Sequence, residues 1–383
     1  MKTPRFLIAP DSFKNCLTAK QAATAIQQGI VKVFPDAVVT VIPMADGGEG
    51  TEEAILSAQG GERVAVEVLD SFLRPHKAFL GILPDKTTAI IEMAAANGLE
   101  IHQPEELNPW IASTYGTGLL IKKALDLGCS ELIIGIGGSA TNDGGVGMAK
   151  ALGVRFLDNQ GKDIGDGPGV FDKLHRIDTS TLDKRIATTK ITVASDVTNT
   201  LIGPQGASFV YARQKGADGS MIEKLDKQLE ILSMQIKKDL NIDAANVVGG
   251  GAAGGLGAGL VCFLGATIKS GFDVISKWVD LEQHIIEHDI VITAEGSFDS
   301  QSAYGKTPVG VAALALKNKK QVFLMAGNFP DKISEAQRAL FTAYIPICKR
   351  PVSENEALLK APLWLEDAAR MLAEIIRSTI ANL

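Results

Sequence analysis

The chain has 383 residues, 46% hydrophobic and 21% charged, with a formal net charge of −6. That is ample apolar material for one large or two ordinary globular domains, and it excludes a disordered chain. The acidic balance argues against a general nucleic-acid binder, which needs clustered Lys and Arg, and leaves room only for a local basic pocket for a small anion.

The chain opens on "RFLIAP", a short apolar run that reads as a strand; Asp11 follows at once, so the run is too short for a secretion signal. Thr18 stands where a helix N-cap belongs, and Ala22, Ala25, Ile26, Ile30 and Val33 follow at helical spacing. "AVVTVIP" is a second strand, "MADGGEGT" a loop, and a helix starts at Thr51. This βαβ order predicts a parallel sheet with loops gathered at the C-terminal ends of its strands. From Arg63 the texture changes, and "RVAVEVLD", "HKAFLGILP" and "TTAIIEMA" read as strands with hairpin-like connections. Helix and strand alternate again through "TGLLIKKALDLG", "ELIIGIGG", "VGMAKALG", "VRFLD" and "KITVASD". "SMIEKLDKQLEILSMQIKKDL" predicts a long amphipathic helix with a solvated, mixed-charge face. Val247 to Ile268 carries no charge and has the length of a membrane span, but eight of its residues are glycine, each costing roughly 1 kcal/mol in a helix. A glycine loop followed by a buried helix is expected instead. The end returns to simple βα units: "DIVITAEG", "VGVAALALKN", "QVFLMAG", "AYIPIC" and a final helix from about Glu366.

These elements predict an α/β chain of two domains. A discontinuous Rossmann- or flavodoxin-like parallel-sheet domain, 1–62 plus 290–383, carries a second α/β domain with a mixed sheet and glycine-rich loops, 63–289, inserted into it. A ligand site is expected in the cleft between them. Cys16, Cys129, Cys262 and Cys348 are widely spaced, which fits free thiols in a reducing, cytoplasmic setting better than a disulfide frame or zinc site.

Several motifs compete to explain the glycines. Gly135 to Ala140 fits G-x-G-x-x-G/A after a strand, and Asp158 ends the next strand near the spacing of a ribose-binding acid, so an NAD(P)-dependent dehydrogenase is one reading. Gly249 to Gly254 fits the same pattern, which shows how permissive it is. In the first match Thr141-Asn142-Asp143 follow where a dinucleotide fold would already be in apolar helix, and these polar side chains suggest groups aimed at a ligand or metal. Ser300 to Thr307 nearly fits a P-loop, with Ser300 in place of the first glycine; Gly305-Lys306-Thr307-Pro308 opens a helix whose N-terminus favours an anion. Carboxylates follow four strands, at Asp11, Asp46, Asp196 and Glu295, and Lys14 and Lys306 stand near two of them. That combination fits magnesium-assisted phosphoryl transfer. His284 to His288 matches H-x-x-E-H, but a strand follows at once and no third ligand is evident, so a helix end is expected there.

Taken together, "IAPDSFKNCLTA", "MADGGEGT", "AIIEMAAANGLE", "IGIGGSATNDGG", "SDVTN", "GGGAAGGLGAGL" and "EGSFDSQSAYGK", in this order, resemble the bacterial glycerate kinase family over nearly the whole chain. The resemblance implies a two-domain α/β kinase that moves the ATP γ-phosphate to D-glycerate, with Mg2+ and with 2-phosphoglycerate as product. It implies no nucleic-acid or membrane partner and is compatible with a homodimer. On this reading Asp196 is the base, with Asp11, Lys14 and Lys306 completing the catalytic set and Glu295 and Asp299 holding the metal. Ser12, Asp46, Gly47, Gly48, Glu49, Gly137, Gly138, Ser139, Thr141, Asn142, Asp143, Gly251, Gln301 and Gly305 line the substrate and nucleotide site. Tyr115, Ser297 and Thr200 depart from the family pattern, the first two at positions that are often basic; Lys14, Lys306, Arg74 or Arg213 would compensate. A non-catalytic nucleotide-binding homologue is the remaining alternative.

Overall fold

A computed structural model describes residues 3–298 and 307–381. The chain divides into two compact units: residues 1–46, 53–58 and 272–383, and residues 47–52 and 59–271.

The first unit is built on five parallel strands in the order Ala343–Pro346, Gln321–Asn328, Ile290–Ser297, Phe6–Ile8, Val39–Val41. Its central strands are continuous apolar runs, as a sheet covered on both faces requires, and Phe6, Leu7, Ile8, Val291 and Ile292 are buried. The helix Ala19–Val31 starts on a Thr18 capping box and buries Ala22, Ala25, Ile26 and Ile30, one helical stripe. It packs against the C-terminal helix so closely that a Cβ on Gly29 would lie 2.2 Å from the Glu366 carbonyl.

That C-terminal helix, Glu354–Ala381, begins a full twelve residues before the expected Glu366 and runs through Pro362. Pro362 has no N–H for the carbonyl four residues earlier, Leu358. The Cys16 thiol donates to that carbonyl instead, at 3.1 Å. A partner from outside the helix thus meets the group that the proline leaves unbonded.

Residues 272–289, assigned by pattern to the insertion, belong to the first unit. Glu282 takes an ion pair from Lys317 at 2.8 Å and a hydrogen bond from Asn318 at 3.0 Å, and Lys320 reaches the Ile286 carbonyl at 2.7 Å. Phe272, Ile275, Leu281 and Ile285 are buried as well, and an apolar pattern does not say which unit it packs against.

The second unit holds a six-stranded sheet in the order Thr267–Lys269, Lys190–Ala194, Glu131–Gly135, Thr88–Glu92, Pro75–Ile82, Glu62–Leu69. The first four are parallel and the last two form an antiparallel hairpin that pairs with them. Parallel Glu131–Gly135 is buried almost throughout, whereas edge strand Glu62–Leu69 alternates buried and exposed over its second half. Arg155–Leu157 and Arg176–Asp178 make a separate two-stranded ribbon. The long helix Gly219–Leu240 buries Ile222, Leu225, Leu229, Leu232 and Ile236 and leaves its charged face outward. The uncharged stretch becomes a turn, Ala252–Gly255, with left-handed backbone at Ala253 and Gly254, followed by a buried helix Leu256–Leu264. Among the described residues no helix is long and apolar enough to cross a membrane.

Candidate active site

In the first unit the expected carboxylates stand where the parallel strands end. The Asp11 N–H bonds the Ala294 carbonyl at 2.8 Å, which extends the pairing of the N-terminal segment with strand Ile290–Ser297. Ser12 turns back, its N–H donating to Asp11 Oδ1 at 2.7 Å. Phe13 and Leu17 then exchange backbone hydrogen bonds of 2.8 and 2.9 Å, closing a small loop with Lys14 exposed at its tip. Burial, reinforced by the negative charge of Asp46, pushes the Asp11 carboxyl up to about 7, against the opposing pull of the Ser12 N–H, Thr307 and Lys14. Asp11, Asp46 and Lys14 therefore share one neighbourhood. Glu295 is buried in strand Ile290–Ser297, opposite Ala326. Asp299, Gln301, Gly305 and Lys306, with Ser300 of the near-P-loop, lie outside the described residues.

In the second unit two glycine segments meet at the ends of the central strands. The Gly137 N–H donates to the Gly47 carbonyl at 3.2 Å. A Cβ on Gly137 would lie 2.6 Å from Gly48 Cα, so only a glycine admits this approach. Thr51 Oγ1 caps the turn on the Gly48 carbonyl at 2.8 Å. Glu49 is exposed, and partial burial and Glu100 raise its carboxyl. Asp196, just past strand Lys190–Ala194, accepts the Gly271 N–H at 2.9 Å, which fixes its carboxylate orientation.

The loop after strand Glu131–Gly135 corrects an expectation. Gly138 is exposed, but Thr141, Asn142 and Asp143 are buried. Asp143 does not face outward to a ligand. Its Oδ2 accepts from Thr114 N at 2.8 Å, Thr114 Oγ1 at 2.9 Å and Gly147 N at 3.0 Å, and its Oδ1 accepts from Gly145 N at 3.1 Å. It thus meets the N–H groups of Gly145, just before the helix Val146–Ala151, and of Gly147 in its first turn, and ties them to Thr114. Burial raises its carboxyl, and the four donors oppose that rise. Asn142 Nδ2 donates to Ser208 Oγ at 3.0 Å.

The second glycine match packs on the first. The Gly144 N–H bonds the Gly254 carbonyl at 3.0 Å, and a Cβ on Gly254, which sits at φ +65°, would fall 2.0 Å from the Thr141 carbonyl. Gly251 bonds the Asn199 carbonyl through its N–H at 2.9 Å. Both patterns thus serve backbone-to-backbone packing. The dinucleotide reading loses its other support as well. Asp158 accepts the N–H groups of Gln160 and Lys162 at 2.8 and 3.0 Å, and these hydrogen bonds, with Lys162 first, hold its carboxyl low in an exposed turn.

Two groups escaped sequence reading. Glu92 ends strand Thr88–Glu92, accepts the Glu52 N–H at 2.7 Å, and is pushed up to about 7, by burial first and by Glu52 and Glu49 second. Its position at a strand end was the available signal. Lys215 is 1% exposed, and its Nζ donates to Ser139 Oγ at 2.6 Å and to the Thr141 carbonyl at 2.7 Å. Nothing in "ARQKGAD" announces a buried lysine.

The other expectations sort quickly. Arg74 is held by Asp70 at 2.6 Å, Glu106 at 2.7 Å and the His102 ring at 3.1 Å, so its charge is matched locally. Arg213 is exposed, and Tyr115 opens the helix Tyr115–Asp126. Ser297 accepts from Asn328 at 3.4 Å. His288 is buried with one ring nitrogen on the His284 carbonyl at 2.6 Å and the other on Thr40 at 2.7 Å, which rules it out as a metal ligand in this arrangement. Among the described residues no three His, Cys, Asp or Glu side chains gather as a metal site.

Carboxylates and tight glycine turns at the ends of parallel strands suit several chemistries, and comparison with known proteins decides between them. The glycerate kinase family model matches residues 6–377. The chain belongs to the glycerate kinase family. It is 44% identical over 369 residues to a glycerate kinase of Halalkalibacterium halodurans, covering 96% of this chain and 97% of that one. It is 48% identical over 330 residues to the glycerate 2-kinase of Escherichia coli K12, covering 86% of each. A crystal structure of a candidate glycerate kinase 2 from Salmonella typhimurium LT2 superposes with a TM-score of 0.86 at 42% identity, over 99% of this chain and all of that one. The two-domain α/β fold of this family agrees with the two sheets of this chain, and family membership removes the dehydrogenase alternative.

Proposed function

We propose that this chain phosphorylates D-glycerate with ATP to give 2-phosphoglycerate and ADP. The observation that carries the reading is the family match from residue 6 to residue 377, together with curated glycerate kinases similar over almost their whole length. In the reaction the glycerate hydroxyl oxygen forms a bond to the γ-phosphorus while the bond to the ADP oxygen breaks. The hydroxyl proton passes to Asp196, whose carboxylate is already oriented by the Gly271 N–H. Lys14, and Lys306 beside it in role, balance the charge of phosphate and carboxylate oxygens.

A magnesium ion, when bound, neutralises phosphate oxygens and needs only one or two protein carboxylates besides them. The residues fit such an ion: the negative charge of Asp46 adds to burial in raising the proton affinity of Asp11, and a divalent cation would relieve that repulsion. Glu295, near the end of the strand Ile290–Ser297, is a further carboxylate for the ion, and on the family resemblance Asp299 is another. The Gly137–Ser139 turn and Asp46–Glu49 line the substrate region, and Gly251 and Asp143 act beneath it.

The test is one incubation of the protein with ATP, MgCl2 and D-glycerate, followed by phosphorus NMR. A new 2-phosphoglycerate resonance with equimolar ADP is expected. A 3-phosphoglycerate resonance would reject the regiochemistry, and ATP binding without any phosphomonoester would make the chain a non-catalytic nucleotide binder.

A further inference from the structure

Lys215 sits in the short turn Arg213–Lys215 with its whole side chain buried. Burying an ammonium group costs several kcal/mol unless the protein compensates it. Two of its three N–H donors have partners, Ser139 Oγ and the Thr141 carbonyl. Both acceptors belong to the loop that carries the exposed Gly138. Asp143 is the carboxylate whose charge supports it, and that carboxylate is already committed to four donors in the loop and in Thr114. Beside these contacts Thr141 Oγ1 and Asn142 Oδ1, on fully buried residues, have no hydrogen-bond partner. A titratable amine is thus held against the residues that follow the glycine turn, Ser139 and Thr141, in surroundings too dry to screen its charge.

We propose that Lys215 is a positioning residue: it holds Ser139 and the Thr141 carbonyl from beneath, and its charge makes the Gly137–Gly138 turn a subsite for an anionic oxygen of a substrate. The assignment rests on the kinase reading above. The anionic oxygen belongs either to the glycerate carboxylate or to an ATP phosphate, and the two sources are separable by kinetics. With no ligand bound, burial holds the ammonium down to about 7, with Asp143 opposing. An anion on the turn strengthens its charged form, so lysine and ligand support one another.

Lys215→Met keeps an apolar stem of similar length and removes the buried charge; Asp143 keeps its four donors, while Ser139 Oγ and the Thr141 carbonyl lose theirs, so folding is checked first by circular dichroism. The expected result is a rise of about tenfold or more in KM for D-glycerate or for ATP, with kcat within about threefold. A rise for D-glycerate puts the carboxylate on the turn; a rise for ATP puts a phosphate there. Both KM values within twofold of wild type, whatever happens to kcat, would overturn the assignment. If the wild type fails to phosphorylate D-glycerate, the functional reading falls separately. Lys215 is then judged by thermal protection with ATP and with D-glycerate: protection of wild type but not of K215M supports it, and equal or absent protection sinks it. Should K215M not fold, Ser139→Ala removes one acceptor and leaves the lysine in place. It is expected to raise the KM for D-glycerate or for ATP about threefold or more, and both KM values unchanged would overturn the proposal.

Discussion

Replacing Asp143 by Asn separates a scaffold role from a ligand role. The change is isosteric, and the Asn carbonyl oxygen replaces Oδ2, keeping the bonds from Thr114 N, Thr114 Oγ1 and Gly147 N. The new amide N–H groups then face the Gly145 N–H, which lies 3.1 Å from Oδ1. A buried donor left without an acceptor costs about 1–3 kcal/mol. The three remaining bonds lose their charge assistance, roughly half the strength of each. The sum is about 3–7 kcal/mol, and at about 2–4 °C per kcal/mol for a unit of this size the thermal midpoint should fall by about 6 °C or more. Differential scanning calorimetry reads that fall, and initial-rate kinetics at a temperature where the variant is folded reads function. Removing the carboxylate charge also weakens the charged form of Lys215, so the KM that Lys215→Met raises should rise in the same sense but by less than about tenfold. A midpoint unchanged within 2 °C together with a tenfold rise in either KM would refute the scaffold role and return Asp143 to the ligand.

Three further outcomes follow from the geometry. Gly254→Ala combines a left-handed backbone with a Cβ 2.0 Å from the Thr141 carbonyl, so it should cost about 2–4 kcal/mol and lower soluble yield; a midpoint within 2 °C of wild type would show that the two glycine segments can part freely. Asp11 has a folded pKa near 7 against an ordinary 3.8, so the folded protein binds more protons between those values and loses stability as pH rises from about 4 to 7. Asp11→Asn should therefore gain about 1–2 kcal/mol over wild type at pH 8, less at pH 5, while turnover drops; a pH-independent difference in midpoint would contradict ionisation of a buried carboxyl as the cause. Asp196→Asn should lower kcat about 10²-fold or more with ATP binding retained, and near-wild-type turnover would remove it as the base.

Much of the scaffold was readable along the chain because its signals are local. Thr18 caps the first helix, and Ala22, Ala25, Ile26 and Ile30 fall on its buried face, as their spacing requires. The apolar runs around Ile8, Ile134 and Ile292 became central parallel strands. The long helix through Pro362 was not readable, because a proline reads locally as a break and the thiol that meets the freed Leu358 carbonyl, Cys16, is more than three hundred residues away in sequence. The same holds for residues 272–289, whose buried Phe272, Ile275, Leu281 and Ile285 could serve either unit until packing, such as Phe272 against Gly310, selects the first.

The candidate site divides along the same line. Residue type and position after a strand pick out Asp11, Asp46, Asp196 and Glu295, and the ordered set of motifs points to the family, because backbone turns and strand ends are written in contiguous residues. What a polar side chain does within that frame depends on what surrounds it in space. "TND" looks like a ligand-facing run in sequence, yet Asp143 meets Thr114, Gly145 and Gly147, and Thr141 lies against Gly254. Lys215 reads as an ordinary surface lysine until Ser139 and Thr141 close over it. Local pattern therefore determined the chemistry available to this chain. Desolvation and long-range hydrogen bonding, which exist only once distant segments pack together, decided which charges support the loop and which are left to meet a substrate.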